Sequence, residues 1–508
     1  MTITTGLSEL AASLRRRLKP GDRAKAFDFI LESVIADLEK PDAYVLAKSL
    51  NLLRDRLRTR LLTLDFDSGQ PAVVDSLYMV DESAIWLAGW CLGGNEVLER
   101  IELISPEGFR AGSLAGAFRY ARPDVEELWR GTSTQPIDHG FLKYLELPAQ
   151  SYLKEGWLGE LHTDSGGHFQ FELPPISRDP ADTRGSLLSY ASADRPNIEL
   201  LRRDHALPAL ERLQAYFKRS LAIESVAQHG EPPSAPDISV VVPLYERIDL
   251  VEHQIAQFWR DPELAEAELI YVLDSPAHWP QLSTIAAELH ALYGLPFTVL
   301  KLNRNGGFAA ANNVAASHAR GRLLLLLNSD VLPTVPGWLG TMRSFYDATP
   351  GIGALGPKLL YEDESIQHAG MYFELDPTTN LWENQHYYKG FSRSLGVANV
   401  SRPVPAVTGA CMMVDRSVYH HVGGLREDYI QGGFEDSDLC LRLIEAGYEN
   451  WYVATVELYH LEAQSFPIEL RATKRYNGWL QTHLWDQRIR DVMRKQSEPT
   501  DARVTPVG

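Results

Sequence analysis

The sequence predicts a multidomain chain whose C-terminal half is an α/β domain with a mostly parallel, doubly covered sheet. Three observations predict it. The chain has 508 residues, too many for one ordinary core. Beyond residue 237, short apolar runs alternate with amphipathic helical stretches, and strands apolar on both faces belong to parallel sheets sandwiched between helices. Just before that point, residues 228–236 are Pro-rich and read as a linker.

Residues 1–70 are expected to be a helical N-terminal segment. Phe27, Ile30, Leu31, Val34, Ile35 and Leu38 recur at helical spacing, Pro41 interrupts, and a second helix runs through Leu53 and Leu57 to Leu61. Residues 71–180 read as short strands separated by Gly, Asp, Asn and Pro turns, a small β-sandwich-like accessory domain without a catalytic constellation. Residues 181–236 are read as a helical connector, through Leu200, Leu201, Leu207, Leu210, Leu213 and Phe217, followed by the linker. The α/β domain then occupies 237–495, and 496–508 are expected to be a disordered tail.

Composition narrows the function classes. Hydrophobic residues make up 44% and charged residues 23%, a globular balance. A formal net charge of −18 argues against a nucleic-acid partner, which calls for a basic face. Three cysteines without a CxxC pair suit a reducing compartment. The N-terminus has no basic region followed by an apolar core, and the longest aliphatic run, residues 323–327, is far short of the roughly 20 residues that span a bilayer. A cytoplasmic protein is expected, with peripheral contact at the inner face of a membrane left open; the oligomeric state is not readable.

The residues that carry chemistry lie where parallel sheets bind ligands, beyond the carboxyl ends of strands. Asp274 closes the second strand of the α/β domain and Asp330 the fourth, in Asn328-Ser329-Asp330. An acid after a strand is commonly a turn former; two of them on one sheet suggest a nucleotide site with a bound cation. Between them, Asn305-Gly306-Gly307 precedes a helix starting at Phe308, so backbone can approach an anion at a helix N-terminus. No Lys-Ser or Lys-Thr follows the glycines, which excludes a Walker loop. Gly409 opens another such loop. Glu435, Asp436 and Asp438 begin a further helix, favoured by its dipole. Asp438 and Arg442 are spaced to pair along one helix face, a structural role, whereas Glu435 and Asp436 sit at the helix mouth where a carboxylate can act as a base.

Taken in order, Pro243-Leu244-Tyr245, Asp274, the Asn-x-Gly-Phe-Ala block, Asn328-Ser329-Asp330, Thr408-Gly409-Ala410, Glu435-Asp436-x-Asp438 with Arg442, and His460 resemble the family 2 glycosyltransferases, particularly their rhamnosyl- and galactofuranosyl-transferase-like members, over about residues 237–465. The resemblance implies a GT-A fold and inverting transfer. It implies that Asp274 accepts a hydrogen bond from the nucleotide base, and that Pro243, Tyr245, Asn305, Gly307, Asn312, Ser329 and Gly409 line the nucleotide-sugar donor site. It implies that Asp330 and His460 hold Mg²⁺ or Mn²⁺, and that Asp436, with Glu435 beside it, deprotonates the acceptor hydroxyl. Asn328 stands where the triplet usually begins with Asp, and Glu246 where Asn usually follows Pro-x-Tyr.

That chemistry accounts for the residue types. A sugar nucleotide departs as a diphosphate, a divalent cation neutralises the developing charge, and a carboxylate behind the acceptor hydroxyl removes its proton. The expected reaction moves a sugar from UDP or dTDP, in preference to GDP, to a carbohydrate or lipid-linked glycan. The rival reading is a degenerate domain that binds nucleotide sugar or glycan without turnover.

Overall fold

The structure is a computed structural model describing residues 72–91, 95–105, 108, 110–128, 138–148, 156–162, 168–461 and 471–497. The expected helical segment 1–70 lies outside the described residues, as does the chain beyond 497. Two compact units divide the chain, residues 1–213 and 214–508.

The first unit holds two sheets. One has the order β5-β6-β2-β1-β9, made of β1 (Ala72–Asp81), β2 (Ala84–Cys91), β5 (Phe118–Tyr120), β6 (Gly140–Glu146) and β9 (Ile176–Ser177). The other has the order β4-β3-β7-β8, made of β3 (Ile101–Ile104), β4 (Arg110–Ser113), β7 (Leu158–His162) and β8 (His168–Glu172). Every pairing is antiparallel except β1 with β9. Val74, Leu77, Ile85 and Leu87 of the first sheet share one apolar cluster with Ile101, Leu103, Leu161 and Phe171 of the second.

The second unit is built on an 11-stranded sheet. Its strands are β10 (Ile223–His229), β11 (Ile238–Leu244), β12 (Glu268–Leu273), β13 (Phe297–Leu302), β14 (Leu323–Leu327), β15 (Val331–Pro333), β16 (Ile352–Leu360), β17 (Ile366–His368), β20 (Arg402–Val404), β21 (Cys411–Asp415) and β22 (Glu449–His460). They run β10-β13-β12-β11-β14-β21-β16-β22-β15, with β17 beside β16 and β20 beside β22. The sheet is mixed, which corrects the mostly parallel expectation: only β13-β12-β11-β14 and the β16–β22 pair are parallel. Beyond β14 the chain returns by antiparallel strands, and apolar runs such as β21 do not reveal direction. A separate hairpin joins β18 (Met371–Asp376) and β19 (Leu381–His386).

Double coverage follows from the strand sequences. In β14, Leu323, Leu325 and Leu327 enter one apolar cluster and Leu324 and Leu326 the other, as alternating side chains must. The first cluster takes in the helices Leu250–Phe258, Trp279–Tyr293 and Trp338–Ala348, the second the helices Phe308–His318 and Glu435–Glu445. Because β11, β12 and β14 are parallel neighbours, Tyr245, Asp274 and Asn328 leave the same edge of the sheet.

The connector expected over 181–236 also needs correction. Its helical pattern ends at Ser220, and Ile223–His229 is a strand pairing antiparallel with β13. Alternation of Glu224, Val226 and Gln228 with Ser225 and Ala227 suits an edge strand, and the Pro-rich stretch is only a short link into β11. Residues 496 and 497, expected in the tail, belong to a helix over Arg471–Ser497. Among the described residues no helix is long and apolar enough to cross a membrane. Cys91, Cys411 and Cys440 are buried and form no disulfide.

Candidate active site

The turn after β14 carries the triplet. Gln254, fully buried, donates from Nε2 to the carbonyls of Asn328 (2.8 Å) and Val331 (3.0 Å), clamping the turn at both ends, and accepts at Oε1 from the Tyr271 hydroxyl (3.3 Å). Ser329 and Asp330 are buried. β15 pairs with the end of β22, so Val331 faces His460 across the ladder, and His460 Nε2 lies 3.3 Å from Asp330 Oδ1. The other ring nitrogen, Nδ1, is 2.6 Å from Gln367 Oε1, while Gln367 Nε2 faces the His460 carbonyl at 3.4 Å. A carbonyl only accepts, so the amide nitrogen must face it and the amide oxygen the ring. Nδ1 therefore carries a proton, and Nε2 is the nitrogen turned toward Asp330. That is how a ligating histidine is oriented by its second neighbour. Asp330 and His460 fit a hard divalent cation as a two-residue partial set; among the described residues no cluster of three or more His, Cys, Asp or Glu offers a complete one.

Asp274 faces the glycine loop. Its two oxygens accept from the amides of Gly306 (2.6 Å) and Gly307 (2.9 Å), and Asn305 Oδ1 also accepts from Gly307 N (2.9 Å). Burial pushes the Asp274 pKa up to about 7, against the pull of the two amides. The folded chain thus holds this proton where the unfolded chain, near pH 4, has lost it. Between about pH 4 and 7 the folded state binds the extra proton, and this group's contribution to stability falls as pH rises through that window. Asp274→Ala should therefore cost more stability at pH 5 than at pH 8 in thermal or denaturant unfolding. A loss that grows with pH would contradict this assignment.

Near the same loop are Tyr245, partly exposed on the β11 end, and Pro243, paired with Val272 in the ladder. Asn312 is fully buried; its Nδ2 donates to the Phe308 carbonyl one helical turn back, and its Oδ1 is buried without a hydrogen-bond partner.

Thr408-Gly409-Ala410 joins the two halves. The Ala410 carbonyl accepts from Asn328 N (2.9 Å), and Gly409 N donates to Asp436 Oδ2 (2.9 Å). A Cβ on Gly409 would meet Asp436 Cβ at 3.3 Å and the Phe308 ring at 3.4 Å, so a larger residue there would press on Asp436. Asp436 Oδ1 accepts from Ser437 N (2.7 Å). Burial raises the Asp436 pKa, opposed by the Gly409 and Ser437 amides and the Thr408 hydroxyl.

Glu435 differs from its expected role. It is turned inward, its Oε2 is buried without a hydrogen-bond partner, and burial, then the Asp436 charge, push its pKa upward. Successive helix positions lie about 100° apart, so the two carboxyls face different surroundings: Asp436 gathers two backbone donors, and Glu435 Oε2 has none. Asp438 is fully buried against Arg426 (3.0 Å), Arg442 (2.7 Å) and Trp485 Nε1 (2.7 Å), the structural role its spacing implied.

Gln254, Gln367 and His368 escaped the sequence reading. Gln254 had a signal, a polar residue on the apolar stripe of Leu250, Val251, Ile255 and Phe258. Gln367 had none: a polar residue in a three-residue strand is ordinary. His368, fully buried, donates from Nδ1 to the Pro357 carbonyl (2.9 Å) and accepts at Nε2 from Thr408 N (3.3 Å); burial holds it neutral.

Comparison with known proteins bears on these residues. The model described as "Glycosyl transferase family 2" matches residues 239–423, from β11 through the Thr408 loop. The chain carries a family 2 glycosyltransferase domain. A second model, "N-terminal domain of galactosyltransferase", overlaps the glycosyltransferase domain at residues 389–466. The chain is 29% identical over 235 residues to the O-antigen biosynthesis protein RfbC of Myxococcus xanthus, covering 45% of this chain and 18% of that protein. It is 32% identical over 148 residues to an N-acetylglucosaminyl-diphospho-decaprenol L-rhamnosyltransferase of Mycobacterium tuberculosis, covering 26% of this chain and 46% of that one. The chain thus spans less than half the length of either relative. The crystal structure of GalNAc-T7 with UDP, GalNAc and Mn²⁺ is similar at a TM-score of 0.40, with 15% identity over 50% of each chain.

Proposed function

We propose that the glycosyltransferase domain is a GT-A-type, inverting, metal-dependent enzyme. It moves one sugar from UDP or dTDP, in preference to GDP, to a hydroxyl of a carbohydrate or lipid-linked glycan. One observation carries this reading: Gly409 N binds the Asp436 carboxylate while the next carbonyl, that of Ala410, binds Asn328 N at the head of the turn bearing Asp330. A base and a cation pair are thereby fixed on either side of one backbone turn, as a displacement with an acceptor on one side and a diphosphate on the other requires.

Asp330 and His460 would hold Mg²⁺ or Mn²⁺, the donor's diphosphate completing the shell. The ion supplies charge neutralisation for the departing diphosphate. Gln367 keeps His460 in the tautomer that ligation uses. Asp436 receives the acceptor proton at its carboxylate, and the neutral Glu435 beside it spares it a like-charge neighbour. Asp274 holds Gly306 and Gly307 in place, and a remaining lone pair is available to the imide N–H of uracil or thymine.

Incubation with UDP-galactose, UDP-glucose, dTDP-rhamnose and GDP-mannose, each with Mn²⁺ or Mg²⁺, tests the reading. Release of UDP or dTDP faster than GDP is the expected outcome. Fastest release from GDP-mannose would overturn the donor class. Tight binding of a donor with no release and no transfer to glycan acceptors would instead favour a binding module.

A further inference from the structure

The helix Arg471–Ser497 begins beyond residue 466, where the family matches end, yet it grips the segment that presents Asp436. Three of its side chains, spaced four residues apart on one face, bind that segment in order. Asn477, fully buried, accepts at Oδ1 from Ile430 N (3.0 Å) and donates from Nδ2 to the carbonyls of Ile430 (3.0 Å) and Gly432 (3.1 Å). Gln481, also fully buried, accepts at Oε1 from the Ser437 hydroxyl (2.6 Å), and its Nε2 donates to Asn384 Oδ1 (3.1 Å). Trp485 Nε1 donates to Asp438 (2.7 Å). The gripped backbone is one that L-residues resist: Gln431, Gly432, Gly433 and Phe434 all have positive φ, 62°, 136°, 97° and 80°. Such non-glycine residues persist only where their surroundings over-determine them. The Phe434 ring closes over Gly478 of the same helix, at 3.4 Å from where a Cβ would stand.

From this geometry we infer that Asn477 and Gln481, with Trp485 behind them, are positioning residues for transfer: the C-terminal helix latches residues 430–438 in the strained conformation that aims the Asp436 carboxylate. The inference rests on Asp436 being the base, and it adds to the catalytic site a helix that neither family match includes. Asn477 acts by satisfying both the N–H and the C=O of Ile430, which pins the entry to the left-handed run. Gln481 and Trp485 pin its exit through Ser437 and Asp438, the two residues after Asp436.

The test uses the full chain. Asn477→Leu and Gln481→Met nearly preserve shape and remove both the acceptor and the donors of each amide. Both should lower kcat about tenfold or more on whichever panel donor releases nucleoside diphosphate fastest, and leave the calorimetric affinity for UDP with Mn²⁺ within about twofold, since the displaced base acts only in the transition state. Amide exchange at Ile430 and Ser437 should quicken in both variants. Folded variants with kcat within about twofold of wild type would overturn the latch. If Asp436→Asn is itself active, the base reading fails, and the exchange data still decide the latch. Should neither variant fold, wild-type exchange decides it: the Ile430 amide must open together with the amides of helix Arg471–Ser497, and an Ile430 amide that exchanges freely while that helix stays protected overturns the proposal.

Discussion

Asp436→Asn should lower turnover by ~10²–10⁴-fold, the usual contribution of a general base, while UDP with Mn²⁺ binds nearly as well as to wild type. The substitution is isosteric and leaves one carbonyl oxygen for two backbone donors, so one of the Gly409 and Ser437 amides loses its acceptor. Loss of proton removal is the larger effect, and it matters in the transition state alone. The pH profile adds a second check. Burial raises the Asp436 pKa, and a base works only when ionised, so kcat should climb with pH through a range above that of an ordinary aspartate. Steady-state rates over pH 5–9 would show it. A variant retaining more than about a tenth of wild-type kcat would remove Asp436 from the mechanism.

Removal of the divalent ion should have an effect of similar size. Excess EDTA should stop turnover, and Mn²⁺ or Mg²⁺ should restore it. Asp330→Ala and His460→Ala should each weaken the cation-dependent part of UDP affinity at least ~10–100-fold, because they delete ligands rather than their supports. Gln367→Met, which leaves the His460 ring in place but frees its Nδ1 proton from the amide oxygen, should fall within that ~10–100-fold range for metal affinity. Calorimetry of UDP with and without Mn²⁺ measures all three without reference to turnover. UDP affinity that ignores the cation in wild type would mean that basic side chains hold the diphosphate and that the Asp330–His460 contact is only an internal bond.

Much of the frame was legible because burial leaves a mark on composition. β11, β12 and β14 are apolar on both faces, and the acids that end β12 and β14 stand out against those runs. Strand direction was not legible: β14 and β21 are both short apolar runs, and nothing within either says that one runs against the other. Edge strand β10 was hidden for the opposite reason, its polar pattern resembling the linker it precedes. At the site, Asp330, Asp436 and His460 could be named from motif order, but their supports could not. Gln367 and Asn477 act across 93 and 45 residues of chain respectively, and a glutamine in a strand or an asparagine in a helix looks the same whether it faces water or clamps a catalytic loop.

The edge strand and the terminal helix also bear on where this protein can be cut. A recombinant fragment bounded by the family matches, 239–466, would strip β10 from β13 and leave a row of unpaired amides at the sheet margin, an invitation to pair with another chain. It would also delete Trp485 from the shell around Asp438 and uncover the second apolar cluster where Trp485, Ile489 and Val492 now close it. Aggregation during expression is the expected fate of that fragment. A fragment that keeps β10 and helix Arg471–Ser497 leaves β13 paired and the second apolar cluster closed, and any recombination event that shuffles this domain between proteins should carry the flanks along with the catalytic centre.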